Sequence, residues 1–191
     1  YTEKLEESSI NMLLEDAKQN AKIIDKKEGE IFSGSENYKK MDLYNDDLNS
    51  ISPEKKIEIV KSLENFAYDK DDRVQAVNYC MYSDSEFKQK IINSKGLNLN
   101  FENNIAYLFI SVVAKDGDEI KSANKFQITQ DFLDFNPKDI ANKAVEEATS
   151  LFGATSIKSG SYPIVLRNDI AAKILSTFSS TLSAENVQKG L

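Results

Sequence analysis

Three acidic groupings, Asp46-Asp47, Asp71-Asp72 and Asp116-Gly117-Asp118, are the residues best suited by type to hold a hard cation, because calcium and magnesium take carboxylate oxygens. Their spacing argues against it. None repeats the ordered ligand positions of a calcium loop, and each falls at a helix flank, a loop or a hairpin tip, where aspartates are solvated turn formers. A nucleophilic Cys80 would want a histidine base, and the chain contains no histidine. Cys80 therefore reads as a small buried strand residue. Lys26-Lys27, Lys39-Lys40 and Lys55-Lys56 are too few and too dispersed for a basic stripe and read as ordinary surface. Gly29 and Gly34 lack phosphate-loop spacing and follow no strand signal, so nucleotide binding has no support.

The elements that would position these groups follow from periodicity. Leu5, Ile10, Leu13, Leu14, Ala17, Ala21 and Ile24 recur at helical spacing over Glu3 to Ile24, predicting a surface helix with one buried stripe. Residues 25–50 are rich in glycine, serine, lysine and acidic residues and read as an exposed connection, docked at Met41, Leu43 and Tyr44. Ser52-Pro53 starts a second helix lined by Ile57, Val60, Leu63 and Ala67 and ended by the acidic cluster 69–72. Asn136-Pro137 repeats the device, with Ile140, Ala144, Ala148, Leu151 and Phe152 as the stripe and Gly153 as the stop. A last helix, Asn168 to Leu191, carries Ile170, Ile174, Phe178 and Leu182 along one side and Ser176, Thr177, Ser179 and Ser180 elsewhere.

Between the second and third helices the period changes to two. Four β-rich runs, Val74 to Tyr82, Phe87 to Ile92, Leu97 to Ala114 and Ile120 to Ile128, are separated by Ser83-Asp84-Ser85, Asn93 to Gly96 and Asp116-Gly117-Asp118, predicting an antiparallel meander. In the third run both alternating sets are apolar, which places it centrally with both faces covered. Asn103-Asn104 marks a bend or bulge in it. The aromatic residues of these runs read as core or sheet surface in preference to a peptide platform. Tyr162 to Leu166 is expected as a fifth, short edge strand, with Pro163 at its start. The fold class is α+β: a four-stranded antiparallel meander plus a short edge strand, packed with about four helices.

Composition bounds the rest. The 191 residues suit one domain with a proper core, since domains run to roughly 100–200 residues. With 24 Lys and Arg against 31 Asp and Glu, the net charge of −7 disfavours a phosphate-backbone partner. No apolar run approaches the ~20 residues needed to cross a bilayer. A single cysteine excludes an internal disulfide and suits a reducing cytoplasm.

A set of short segments in shared order resembles the TldD/PmbA family: the acidic opening helix, Met41-Asp42-Leu43-Tyr44, Ser52-Pro53, Asn93-Ser94-Lys95-Gly96, Val112 to Gly117, Leu133-Asp134-Phe135-Asn136-Pro137 and Ser159 to Leu166. In TldD-type members the last helix carries a His-Glu-x-x-x-His zinc motif. Laid on that pattern, its metal-site positions fall on Leu175, Ser176 and Ser180. Leucine has no donor atom, serine is a poor zinc ligand, and the glutamate that polarises the bound water is gone. The vacated motif places the chain on the PmbA (TldE) side of the family.

The resemblance implies most of one N-terminal domain of a longer protein, residues 1–191, with further strands before it and a β-rich domain after it. It implies a non-catalytic subunit of a cytoplasmic TldD/PmbA peptidase complex that acts on unfolded or modified peptides, with zinc in a TldD-type partner. No catalytic, cofactor-binding or metal-binding residue is assigned to this chain. The family is also labelled a modulator of DNA gyrase, but no residue here shows a route to that activity. Two other expectations compete: a stand-alone module that adds a peptide strand to a sheet edge, and a metallopeptidase whose ligands all lie beyond this chain.

Overall fold

The computed structural model describes residues 1–4, 6–24, 31–35 and 37–190. Leu5, Lys26, Lys27, Gly29 and the terminal Leu191, named above, lie outside them. The chain divides into two compact units, Tyr1–Phe152 and Gly153–Leu191.

The first unit is built on a three-stranded antiparallel sheet of β1 (Val74–Ile92), β2 (Asn98–Asp116) and β3 (Glu119–Thr129), in that order. The meander is therefore three strands, not four. Ser83, Asp84 and Ser85, expected to turn the chain, continue β1 opposite Tyr107, Ala106 and Ile105. Their polarity has a tertiary use: Asp84 pairs with Lys56 and lies within reach of the Tyr82 hydroxyl. The turns at Gly96 and Gly117 are real, and both glycines take positive φ. Asn103 and Asn104 hold regular register, and the shifts fall instead between Val74 and Ala76 and between Val77 and Tyr79.

Two helices cover one face of the sheet. α3 (Pro53–Lys70) is capped by the Ser52 hydroxyl and α4 (Pro137–Ser150) by the Asn136 side chain, each with proline in the first turn, where no backbone donor is lost. α3 lies over β1, and α4 over β2 and β3. Leu63, Ala67, Ile140, Ala144, Val145 and Ala148 meet Ala106, Leu108, Ile110, Val112 and Ala114 in one buried cluster. Ile57, expected in this stripe, is exposed, while Phe66 packs against the cluster. Leu151 is likewise exposed.

The helix α1 (Ser8–Ile23) forms, but its apolar stripe is not buried within the chain: Ile10, Leu14 and Ile23 are exposed and Ser9 is the one buried residue of the helix. Residues 37–45 carry no regular structure and lead into a single-turn helix, α2 (Asp46–Asn49). The docked residue of this connection is Leu48, with Leu43 and Tyr44 half-buried and Met41 exposed.

In the second unit, the expected strand at Tyr162 to Leu166 does not form: these residues carry no regular secondary structure. The expected single helix is broken into α5 (Asn168–Phe178), a 3-10 stretch (Ser179–Leu182) and α6 (Ala184–Lys189), closed by left-handed Gly190. Hydroxyls explain the break. Ser176 and Thr177 donate to the Lys173 carbonyl, Ser179 to Ser176 and Thr181 to Phe178, a run of side-chain bonds that competes with helix hydrogen bonding. Among the described residues, six α-helices and two short 3-10 segments thus replace the four helices expected.

Candidate functional site

The acidic groupings resolve into structural roles. The carboxylate of Asp71 receives Nε and Nη2 of Arg73 at 3.0 and 2.8 Å, and Arg73 reaches across to Asp116 at 3.2 Å, so one guanidinium ties the end of α3 to the end of β2. Hydrogen bonds from Arg73 hold the Asp71 carboxyl down to about 2, and the Arg73 pKa is correspondingly raised. Asp47 sits in the first turn of α2, where its backbone amide is capped by Asn45. A shallow recess is lined by Asp42, Asp46, Asp47, Asp131 and Asp134. Among the described residues no three His, Cys, Asp or Glu side chains gather as a metal site.

Cys80 is half-buried on β1, with its thiol 3.4 Å from the Val60 carbonyl. Burial, assisted by the charge of Glu64, pushes the thiol up to about 11, the opposite of an activated nucleophile. Tyr82 beside it packs edge-on against Phe132 and Phe135, and burial with Asp84 nearby raises its hydroxyl to about 12. This cluster is core at the rim of the helix-covered face. Lys56, one of the lysines read as surface, extends over the Tyr82 ring.

The three positions matched to the zinc motif lie on α5 and the 3-10 stretch. Leu175 is 72% exposed. The Ser176 hydroxyl donates to the Lys173 carbonyl at 2.8 Å, and the Ser180 carbonyl accepts from the Ser183 amide and the Asn186 side chain. The local geometry is thus irregular at the position of the motif's second histidine, while the side chains present lack the donors to hold zinc there.

The uncovered face of the sheet is the largest feature that the strand pattern misread. Sequence periodicity placed β2 under cover on both sides, but α3 and α4 cover one side only. On the other, register sets Tyr107 beside Ile128 and Phe109 between Met81 and Phe126, and Tyr79 stands opposite Ser111. Tyr107 stacks on Phe109 at 6.0 Å between ring centres and tilts against Phe126 at 5.6 Å. Tyr79 and Phe126 remain 68% and 59% exposed. Partial burial raises the Tyr107 hydroxyl pKa. The alternating aromatic residues were visible in the sequence; that no element of the first unit among the described residues covers them was not. These rings form a contiguous apolar patch on the open face of the sheet.

A network that sequence reasoning missed joins the connection to the sheet. Asn104, on the helix-covered side of β2 and almost wholly buried, accepts from the Asn45 amide and donates to the Asn45 carbonyl, both at 2.8 Å. Asn45 in turn donates from its side chain to the Gln130 carbonyl at 3.0 Å, and Leu43 accepts from the Asn104 amide and the Gln130 side chain. A lone asparagine pair inside an apolar strand was the available signal.

Residues 46–152, from α2 to the end of the first unit, match the model of the PmbA/TldA metallopeptidase central domain. Among solved structures, a Thermotoga maritima protein described as a candidate modulator of a DNA gyrase is 32% identical with a TM-score of 0.90, covering 100% of this chain and 43% of its own. A Bacteroides thetaiotaomicron protein with a similar description is 22% identical with a TM-score of 0.86, over 98% of this chain and 44% of its own. TldE from Thermococcus kodakarensis is 22% identical with a TM-score of 0.69, over 78% of this chain and 34% of its own. The latter two establish likeness of fold. The chain spans less than half the length of each of these proteins. No curated protein matches it. With more than half of its residues matched by the family model and its sheet and flanking helices inside that match, the chain belongs to the PmbA/TldD family.

Proposed function

We propose that this chain forms most of one domain of a PmbA/TldE-type subunit that is itself non-catalytic and works with a zinc-bearing TldD-type partner, in the cytoplasm, to degrade or process unfolded or modified peptides. The observation that carries this reading is the state of the motif positions: Leu175, Ser176 and Ser180 offer no zinc ligand set, and the chain has no histidine to replace one. The likeness to a protein named TldE supports the same side of the family. The open aromatic face supports a role in assembly, because an apolar surface of this extent is stabilised by burial against another body.

Peptidase activity on an unfolded substrate tests the reading, measured for the intact protein alone, for a TldD-type partner alone, and for the two mixed. Activity that rises on mixing and is abolished by changing the partner's histidines is the expected result. Chelator-sensitive activity from the intact protein alone would overturn it.

A further inference from the structure

The strand β3 ends at Thr129, opposite Ala106, so residues 85–92 of β1 and 98–105 of β2 continue past it as a two-stranded ribbon. Isolated two-stranded ribbons are marginal in water. Here the ribbon is held at both ends by the connection that precedes α2. At the tip, the Gly34 amide donates to the Lys95 carbonyl at 3.1 Å and the Asn93 side chain donates to the Phe32 carbonyl at 2.7 Å. At the base, Leu43 and Asn45 are fastened to Asn104.

Between these two attachments residues 38–41 stand off the ribbon and leave a groove of about 760 Å³. Its composition is unlike the rest of the molecule. Lys39 and Lys40 line one wall and Lys88 and Lys90 the other, with Glu102 as the single carboxylate, in a chain whose net charge is −7. Lys88 is engaged by Glu86 and the Tyr44 ring, whereas Lys39, Lys40 and Lys90 have no carboxylate partner among the described residues. Register places Lys88 and Lys90 on the same side of the ribbon as Asn104, the residue that anchors the strap. Tyr38 and Met41, both exposed, add apolar contact along the same groove.

We infer that this groove docks an extended, acidic peptide segment with apolar residues between its carboxylates. Charge complementarity and spacing carry the inference together. Lysines at i and i+2 of a strand stand about 7 Å apart on one face, which is the spacing of alternate carboxylates on a second extended chain. The apolar wall suits the intervening side chains, and the negative charge of the remaining molecule disfavours a long nucleic acid that would run beyond the groove. The assignment goes beyond the subunit reading and does not depend on it, since binding is measured without peptidase activity.

The test is fluorescence anisotropy of the intact protein with a short labelled peptide carrying Glu at every second position and Leu or Thr between. The same peptide with Gln for Glu, and a single-stranded DNA of equal charge, serve as comparisons. The acidic peptide is expected to bind about tenfold more tightly than its Gln counterpart, and less tightly as salt rises. Combined Lys40→Glu and Lys90→Glu changes remove that preference, and Lys138→Glu, an exposed change on α4, leaves it intact. The reversed variant is expected to prefer a Lys-bearing version of the peptide, a gain that misfolding would not produce. Equal binding of the acidic and Gln peptides, equal loss in the Lys138→Glu variant, or DNA binding as tight as the peptide's would each overturn the inference.

Discussion

Asn104 is a buried polar side chain whose bonding capacity is used to hold another segment of backbone. Its amide presents one acceptor and one donor to Asn45, much as a neighbouring strand would, so the connection pairs with the sheet through a side chain. Removing it strands a donor and an acceptor on Asn45 at a partly buried site. Asn104→Ala is therefore expected to destabilise the protein by about 2–3 kcal/mol in chemical denaturation, the scale of unsatisfied buried polar groups. Asn104→Asp should not rescue it at neutral pH, because a carboxylate cannot donate to the Asn45 carbonyl that it faces. A loss well under about 1 kcal/mol in the alanine variant would show that the pairing contributes little.

At the scale of elements, the feature that distinguishes this sheet is the ribbon and the strap that accompanies it. Gly34 explains the attachment at the tip. A Cβ at this position would lie 2.2 Å from the Gly96 carbonyl oxygen, and that neighbour is backbone, in a turn with its own positive φ, so it cannot yield as a flexible side chain would. Gly34→Ala is expected to detach the strap from the tip while leaving the helix-covered core intact. Hydrogen exchange reads this directly: protection of the Gly34 amide, bonded to Lys95 in the native protein, falls, and protection of amides in the β2–β3 pair does not change. Unchanged Gly34 protection would mean that the close approach is not required. The break in the last helix belongs to the same scale, since a run of Ser and Thr side chains bonding back to helix carbonyls replaces one continuous helix by α5, a 3-10 stretch and α6.

At the scale of the whole molecule, one side of the sheet is core and the other is an aromatic surface. Tyr79, Met81, Phe126 and Ile128 are exposed in the 191-residue chain, and the stripe of α1 adds more apolar area elsewhere. Alone in solution, such a chain is expected to self-associate at raised concentration. The double change Met81→Glu and Phe126→Glu should keep it monomeric in sedimentation velocity with little effect on its unfolding midpoint, because neither side chain contributes to the buried cluster. A monomeric parent chain would contradict this expectation.

What could be read from the residues alone has local physical causes. Ser52-Pro53 and Asn136-Pro137 start helices because capping oxygens and a fixed φ act within one turn, and Gly96 and Gly117 turn strands because they tolerate positive φ. The vacated motif at Leu175, Ser176 and Ser180 was equally legible, since a missing donor atom needs no fold to be recognised. The alternation of β2 was read correctly as central, but periodicity reports that a face is apolar and not what lies against it. Only the packing of α3 and α4 on a single side decided that Tyr107 and Phe109 face outward. Ser83 to Ser85 looked like a turn because polar residues are common there, but they pair in register with Tyr107, Ala106 and Ile105 of β2, and Asp84 meets Lys56, 28 positions away. The Asn45–Asn104 pairing and the lysine groove join residues distant in the chain, so they exist only once the strap has been laid along the ribbon. Local stereochemistry thus set the starts and turns of the elements, while the choice of covered face, the length of β1 and the groove were decided by long-range contacts that no window of sequence contains.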